Sequence, residues 1–138
     1  MLPKSHIILG AVFSVILFLF LGVSSINAFL VFLSSVFIDI DHYLFYIFRK
    51  KDFNLTRACR WHICMGDYHK PIMQIFHSVE FIFLVLAISL IFPAFVFIFL
   101  GLLFHSILDI LEMVHKKNLK TREFFFTRYL LGDRRKYF

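Results

Sequence analysis

The 138-residue sequence has no ionisable side chain between His6 and Asp39, a gap of 32 positions, and none between Glu80 and His105, a gap of 24. Each gap exceeds the roughly 20 apolar residues that carry a helix across a bilayer. Acids are scarce, 9 against 15 Lys and Arg, and there are only 2 cysteines. Internal repeats, low-complexity tracts, Gly-rich phosphate loops and Ser nucleophile motifs are all missing, which removes the repeat, P-loop and serine-hydrolase readings.

What is present is apolar: 60% hydrophobic residues, a mean hydropathy of +0.81 and 21 Phe. A soluble chain of this size has no core large enough to hide them, so lipid is the expected solvent. The first gap is too long for one helix and reads as two, meeting near Gly22 to Asn27. The second contains Pro93, either a kink within one span or the turn between two.

Basic residues decide between these. They fall in three places: Lys4, the loop from Arg49 to Lys70, and the stretch from Lys116 to the C-terminus, with none at either turn. Positive charge favours the cytoplasmic side. The expected fold is therefore an all-α integral membrane protein of four transmembrane helices arranged as two hairpins, with both termini cytoplasmic. The spans are 6–23, 27–48, 71–92 and 94–115, with a cytoplasmic loop over 49–70. Residues 1–115 form the membrane domain and 116–138 a basic amphipathic tail on the membrane surface. The expected location is the plasma (inner) membrane, multi-pass.

A cleaved leader is a weaker reading of the N-terminus, because the apolar run from Ile7 to Val23 exceeds the usual length and only Lys4 precedes it. Cys59 and Cys64, with His62 between them, lack a second pair of zinc ligands and read as ordinary reduced cysteines. The basic tail needs no nucleic acid to explain it, since topology already accounts for the charge.

Measured from the two turns at 1.5 Å per residue, His6, Asp39, Asp41, His77, Glu80, His105 and Asp109 fall at roughly 18–28 Å, in one slab near the cytoplasmic boundary. His105, Asp109 and Glu112 share one helical face; His77 and Glu80 share another, and Asp39 and His42 a third. Asp39 and Asp41 lie about 200° apart on a regular helix, so both face one centre only if the helix unwinds there. Carboxylates at membrane depth need partners, and the bases are sequestered in the loops. A bound cation resolves this, and the mix of imidazole and carboxylate suits zinc first, with manganese or iron as alternatives.

The series His6, Asp39-Ile40-Asp41-His42, His77-Ser78 and His105 to Asp109 resembles the YdjM-like family of membrane-bound metal-dependent hydrolases over about residues 4 to 112. The resemblance implies that His6, Asp39, Asp41, His77, His105 and Asp109 form one metal centre. The family often carries an upstream His and Gly before its T-H-S element. Here Lys70 to Phe76 precede His77, so either Glu80 substitutes as ligand or base or the site holds fewer metals. The expected activity is hydrolysis of a phosphoester or related ester of a membrane lipid, with Glu80 or Asp41 as general base. A proton or divalent-cation transport element, a haem protein and a scaffold are the rival classes.

Overall fold

The computed structural model describes residues 3–65, 72–117, 119 and 122–132, without the side chains of Pro3, of residues 63–65 and of Ile72. The Cys64 side chain, His69, Lys70 and the chain beyond Gly132 therefore lie outside the described residues. The fold is helical: α1 is Pro3–Leu21, α2 Ser25–Phe37, α3 Ile40–Lys50, α4 Leu55–Met65, α5 Val79–Ser89, α6 Ala94–His115 and α7 Phe126–Leu131. Two short strands, β1 (Ile72–Met73) and β2 (Arg122–Glu123), pair in parallel with Ile72 opposite Arg122.

Three helical stretches are long and apolar enough to cross a membrane: Lys4–Leu21, Ser25–Lys50 and Ala94–His115. The chain leaves helix between Leu21 and Ser25 and again between Ser89 and Ala94, where turns are expected. Gly22 has φ +64°, a left-handed conformation that costs glycine least, and the Ser24 hydroxyl caps α2 by accepting the Asn27 N–H. Leu21, Ile26, Leu90, Ile91 and Phe92 are exposed around these turns, where a chain surrounded by water would place polar groups.

α5 departs from the expected span. Its 11 residues rise about 16 Å, roughly half of a hydrocarbon core. The helix starts only at Val79 because Ser78 is extended (ψ 148°) and its Oγ accepts the Phe81 N–H. Before it, β1 and a 3₁₀ turn at Ile75–His77 carry the chain instead of helix. The loop after α3 also holds structure, namely α4. Asp52 fastens that corner by accepting from the Tyr46 hydroxyl (2.8 Å) and the Asn54 N–H (3.0 Å).

These two hydrogen bonds, Tyr46 first, hold the Asp52 carboxyl below its usual value. A lowered folded pKa contributes stability above the unfolded value and loses it as pH falls through the folded one. Asp52→Ala is therefore expected to lower the thermal midpoint at pH 7 and to converge with wild type towards pH 3. A constant difference across a pH series of melting curves would show that ionisation is irrelevant there.

Packing uses small residues where helices meet. A Cβ on Gly101 would strike Ser34 Oγ and the Val31 carbonyl, and one on Gly10 would strike Ser35 Oγ, so α6 and α1 both press closely on α2. Ser34 and Ser35 turn their hydroxyls back to the carbonyls of Leu30 and Phe32, both at 2.8 Å, which leaves no unpaired group at the crossing. Ile38, Val85 and Leu102 form the buried apolar cluster, flanked by Phe76, Phe81 and Phe99.

Candidate metal centre

The turn at Ile38–Asp39 separates α2 from α3, and this break lets two carboxylates 200° apart on a regular helix serve one place. They approach His77 from opposite sides. Asp41 Oδ2 lies 3.0 Å from His77 Nδ1 and also accepts the Phe76 N–H at 3.2 Å, while Asp39 Oδ1 lies 3.8 Å from His77 Nε2. The hydrogen bond orients the ring: a carboxylate accepts, so Nδ1 carries the proton and Nε2 offers its lone pair.

His105, 1% exposed, is fixed in the same way. Its Nδ1–H donates to the Ser35 carbonyl at 2.7 Å, and a carbonyl cannot donate back. In the neutral ring its Nε2 then offers a lone pair, 3.3 Å from His77 Nε2. Asp39 Oδ1 is 3.4 Å and Asp109 Oδ2 3.5 Å from His105 Nε2, and Asp109 Oδ2 is 3.6 Å from His77 Nε2. The two imidazoles, from the 3₁₀ turn and α6, are thus flanked by Asp39 from the α2–α3 turn and by Asp109 from α6.

Four ligands held about 2.0–2.2 Å from a tetrahedral metal stand roughly 3.3–3.6 Å apart along each edge. The distances from His105 Nε2 to His77, Asp39 and Asp109 and from His77 Nε2 to Asp109 fall in that range, and the 3.8 Å from His77 Nε2 to Asp39 exceeds it by a little, so each carboxylate taken with the two imidazoles fits a face of such a site. Asp39, His77 and His105 form one triad with ligand atoms close enough to share an ion; His6, His105 and Asp109 form a second, and Asp41, His42 and His77 a third. Buried His and Asp clusters able to coordinate a metal are therefore present.

The remaining sequence candidates stand around this set. His6 stacks on His105 with ring centroids 4.0 Å apart, and its Nε2 lies 3.1 Å from Asp109 Oδ1, the carboxylate oxygen turned away from His77. Its Nδ1 and Asp41 Oδ1 are buried without hydrogen-bond partners, polar atoms that an ion or water would satisfy. From the sequence, Glu80 is expected as ligand or base beside His77, but its carboxylate instead receives the tail. Oε2 accepts the Phe126 N–H at 2.9 Å, and Oε1 accepts the Thr127 N–H at 3.0 Å and the Thr127 hydroxyl at 2.8 Å. The cause is local: helix begins only at Val79, so His77 and Glu80 do not share a helical face.

Four contributors are invisible in that reading. The Ser35 carbonyl sits four residues before Asp39 and so on its face, which is a usable signal. Gln74 places its amide nitrogen 2.5 Å from His42 Nδ1, and His42 Nε2 stands 3.5 Å from Asp39 Oδ1. His62, on α4, donates Nε2–H to the His42 carbonyl at 2.7 Å; burial lowers its pKa and keeps it neutral. Arg122, on β2, brings Nη2 to 2.7 Å from Asp109 Oδ2. Asp39 and His42 are the partly open members, 26% and 29% exposed.

Comparison with known protein families, with curated proteins and with solved structures finds no match for this chain.

Proposed function

We propose that the protein is a membrane-embedded, metal-dependent hydrolase acting on a phosphoester or related ester of a lipid at the cytoplasmic face, with zinc as the first candidate metal. One observation carries the reading: the Nε2 atoms of His77 and His105 face each other at 3.3 Å with Asp39 Oδ1 beside both, a largely buried triad whose ligand atoms lie close enough to share one ion, and Asp109 Oδ2 stands within 3.6 Å of the same two nitrogens. The charges point the same way. Three buried or half-buried carboxylates, Asp39, Asp41 and Asp109, stand around two imidazoles, with the Arg122 guanidinium on Asp109, and carboxylates at such depth call for cationic partners. The order of the motifs, similar to that of the YdjM-like family, agrees with this. In the membrane, α1, α2–α3 and α6 would cross, with β1, the 3₁₀ turn and the short α5 together making the fourth passage, so that the positive-inside bias puts both termini and the centre towards the cytoplasm.

His77, His105, Asp39 and Asp109 would hold the metal, with Asp41 and the Ser35 carbonyl fixing the two rings and His6 holding the outer oxygen of Asp109. When bound, such an ion polarises an ester or phosphoryl oxygen and acidifies water. The chain does the rest. Asp41, whose Oδ2 orients His77 and whose Oδ1 is buried without a hydrogen-bond partner among the described residues, would take the proton of an entering water, one of the two residues to which the sequence assigns that role. Glu80, the other, is committed to the tail. Positioned proton acceptors of this kind typically contribute 10²–10⁴-fold.

The test is elemental mass spectrometry on detergent-purified protein, followed by a screen for phosphate or alcohol release from mixed lipid micelles with and without chelator. One divalent transition ion per chain and chelator-sensitive release are expected. A stoichiometric ion without turnover would turn the reading towards cation transport, and absence of any ion after zinc reconstitution would end it.

A further inference from the structure

The chain after α6 returns to the centre, and the way it is fastened is specific. β2 pairs with β1 immediately before the 3₁₀ turn that carries His77. The Phe124 carbonyl accepts the Val79 N–H at 2.9 Å. Glu80 then takes the Phe126 and Thr127 N–H groups and the Thr127 hydroxyl. Three successive attachments thus hold a span of a few residues, and the side chain they deliver is Arg122, 10% exposed, with Nη2 on Asp109 Oδ2. The oxygen it contacts, Asp109 Oδ2, lies 3.6 Å from His77 Nε2 and 3.5 Å from His105 Nε2, so the guanidinium stands directly behind the cluster.

We propose that Arg122 is the anion-binding residue of this site, contacting the phosphoryl oxygens of the substrate next to the metal position. The inference rests on the hydrolase reading and narrows it from esters in general to phosphoryl esters. A guanidinium presents five N–H donors in a planar fork, and the contact with Asp109 uses one nitrogen of it. The fork matches two oxygens of a phosphate, which a lysine at the same place would meet only as a point charge. If Arg122 only balanced Asp109, mobile attachment would serve equally well. Here the pairing of β1 with β2, the Val79 N–H and the Glu80 carboxylate all hold this segment in register.

Wild type, Arg122→Gln and Arg122→Lys full-length proteins in detergent would be compared for zinc stoichiometry, thermal midpoint and calorimetric binding of two probes, inorganic phosphate and dihexanoyl phosphatidic acid. Equal zinc content in all three is expected, with at least tenfold weaker binding in Arg122→Gln and an intermediate value for Arg122→Lys. Loss of binding to the lipid probe alone identifies a headgroup site, and loss to inorganic phosphate alone a soluble-phosphate site; either supports the proposal. Unchanged binding of both probes in Arg122→Gln overturns it, as does failure of wild type to bind either. Loss of zinc in Arg122→Gln overturns it too, because Arg122 is then a structural partner of Asp109. A wild type without zinc defeats the hydrolase reading by itself, while the two probes still decide the role of Arg122.

Discussion

Replacing His105 by alanine is expected to weaken zinc binding by at least about 100-fold, beyond the 10–100-fold cost typical of losing only an outer-shell partner. His105 is the side chain on which the centre turns. Its Nε2 lies within 3.5 Å of His77, Asp39 and Asp109, its Nδ1 is tied to the Ser35 carbonyl, and its face carries His6. Alanine removes one acceptor and also leaves the His6 ring without its stacking partner. A buried truncation of this size costs stability as well, about 2–5 kcal/mol for large side chains, so metal loss must be separated from unfolding. Ser106→Ala is the control: the Ser106 Oγ is buried with no hydrogen-bond partner, so its removal should leave both zinc content and the thermal midpoint near wild type. Competition with a chelating dye on folded, size-homogeneous protein gives the ratio. An affinity for His105→Ala within a factor of three of wild type would place the metal elsewhere or nowhere.

The sequence carried the parts of this centre that lie within one helix. His105 and Asp109 are four residues apart on α6, and their joint approach to Asp39 and His77 follows from that spacing once α6 packs on α2. The angular conflict between Asp39 and Asp41 pointed to a break, and the helix stops at Phe37 and resumes at Ile40. Where several backbone conformations suit the same apolar run, the sequence was silent. Met73, Ile75 and Phe76 read as the continuation of a span, yet the chain there is strand and 3₁₀ turn with Met73 and Gln74 buried. Hydropathy does not separate a buried extended segment from a helix. That single ambiguity moved Glu80 from the centre to the tail. Arg122 was hidden for a different reason: its place depends on pairing between segments some 50 positions apart, which leaves no periodic trace, and it stood among basic residues already explained by topology.

Gly101→Val is expected to lose zinc without altering any ligand. Gly101 lies one helical turn before His105, and a Cβ there would strike Ser34 Oγ and the Val31 carbonyl and come within 3.1 Å of the Ser35 backbone nitrogen. Two of the three obstacles are backbone, which cannot swing aside, so α2 and α6 must separate. The first interaction to stretch is the 2.7 Å bond from His105 Nδ1 to the Ser35 carbonyl, and Asp39, four residues further along the same segment, moves with it. Overpacking of this kind costs about 1–3 kcal/mol, and the displaced ring no longer presents Nε2 to the other three acceptors. Gly22→Ala separates the two effects. Its φ of +64° makes the substitution strained, about 1–2 kcal/mol, but nothing lies within 4 Å of the added Cβ and the turn is remote from the cluster. Both variants should therefore melt earlier than wild type, and only Gly101→Val should lose metal, at least tenfold in affinity. If the two lose zinc equally, binding tracks general stability; if Gly101→Val keeps wild-type affinity, the α2–α6 crossing does not set the geometry of the centre.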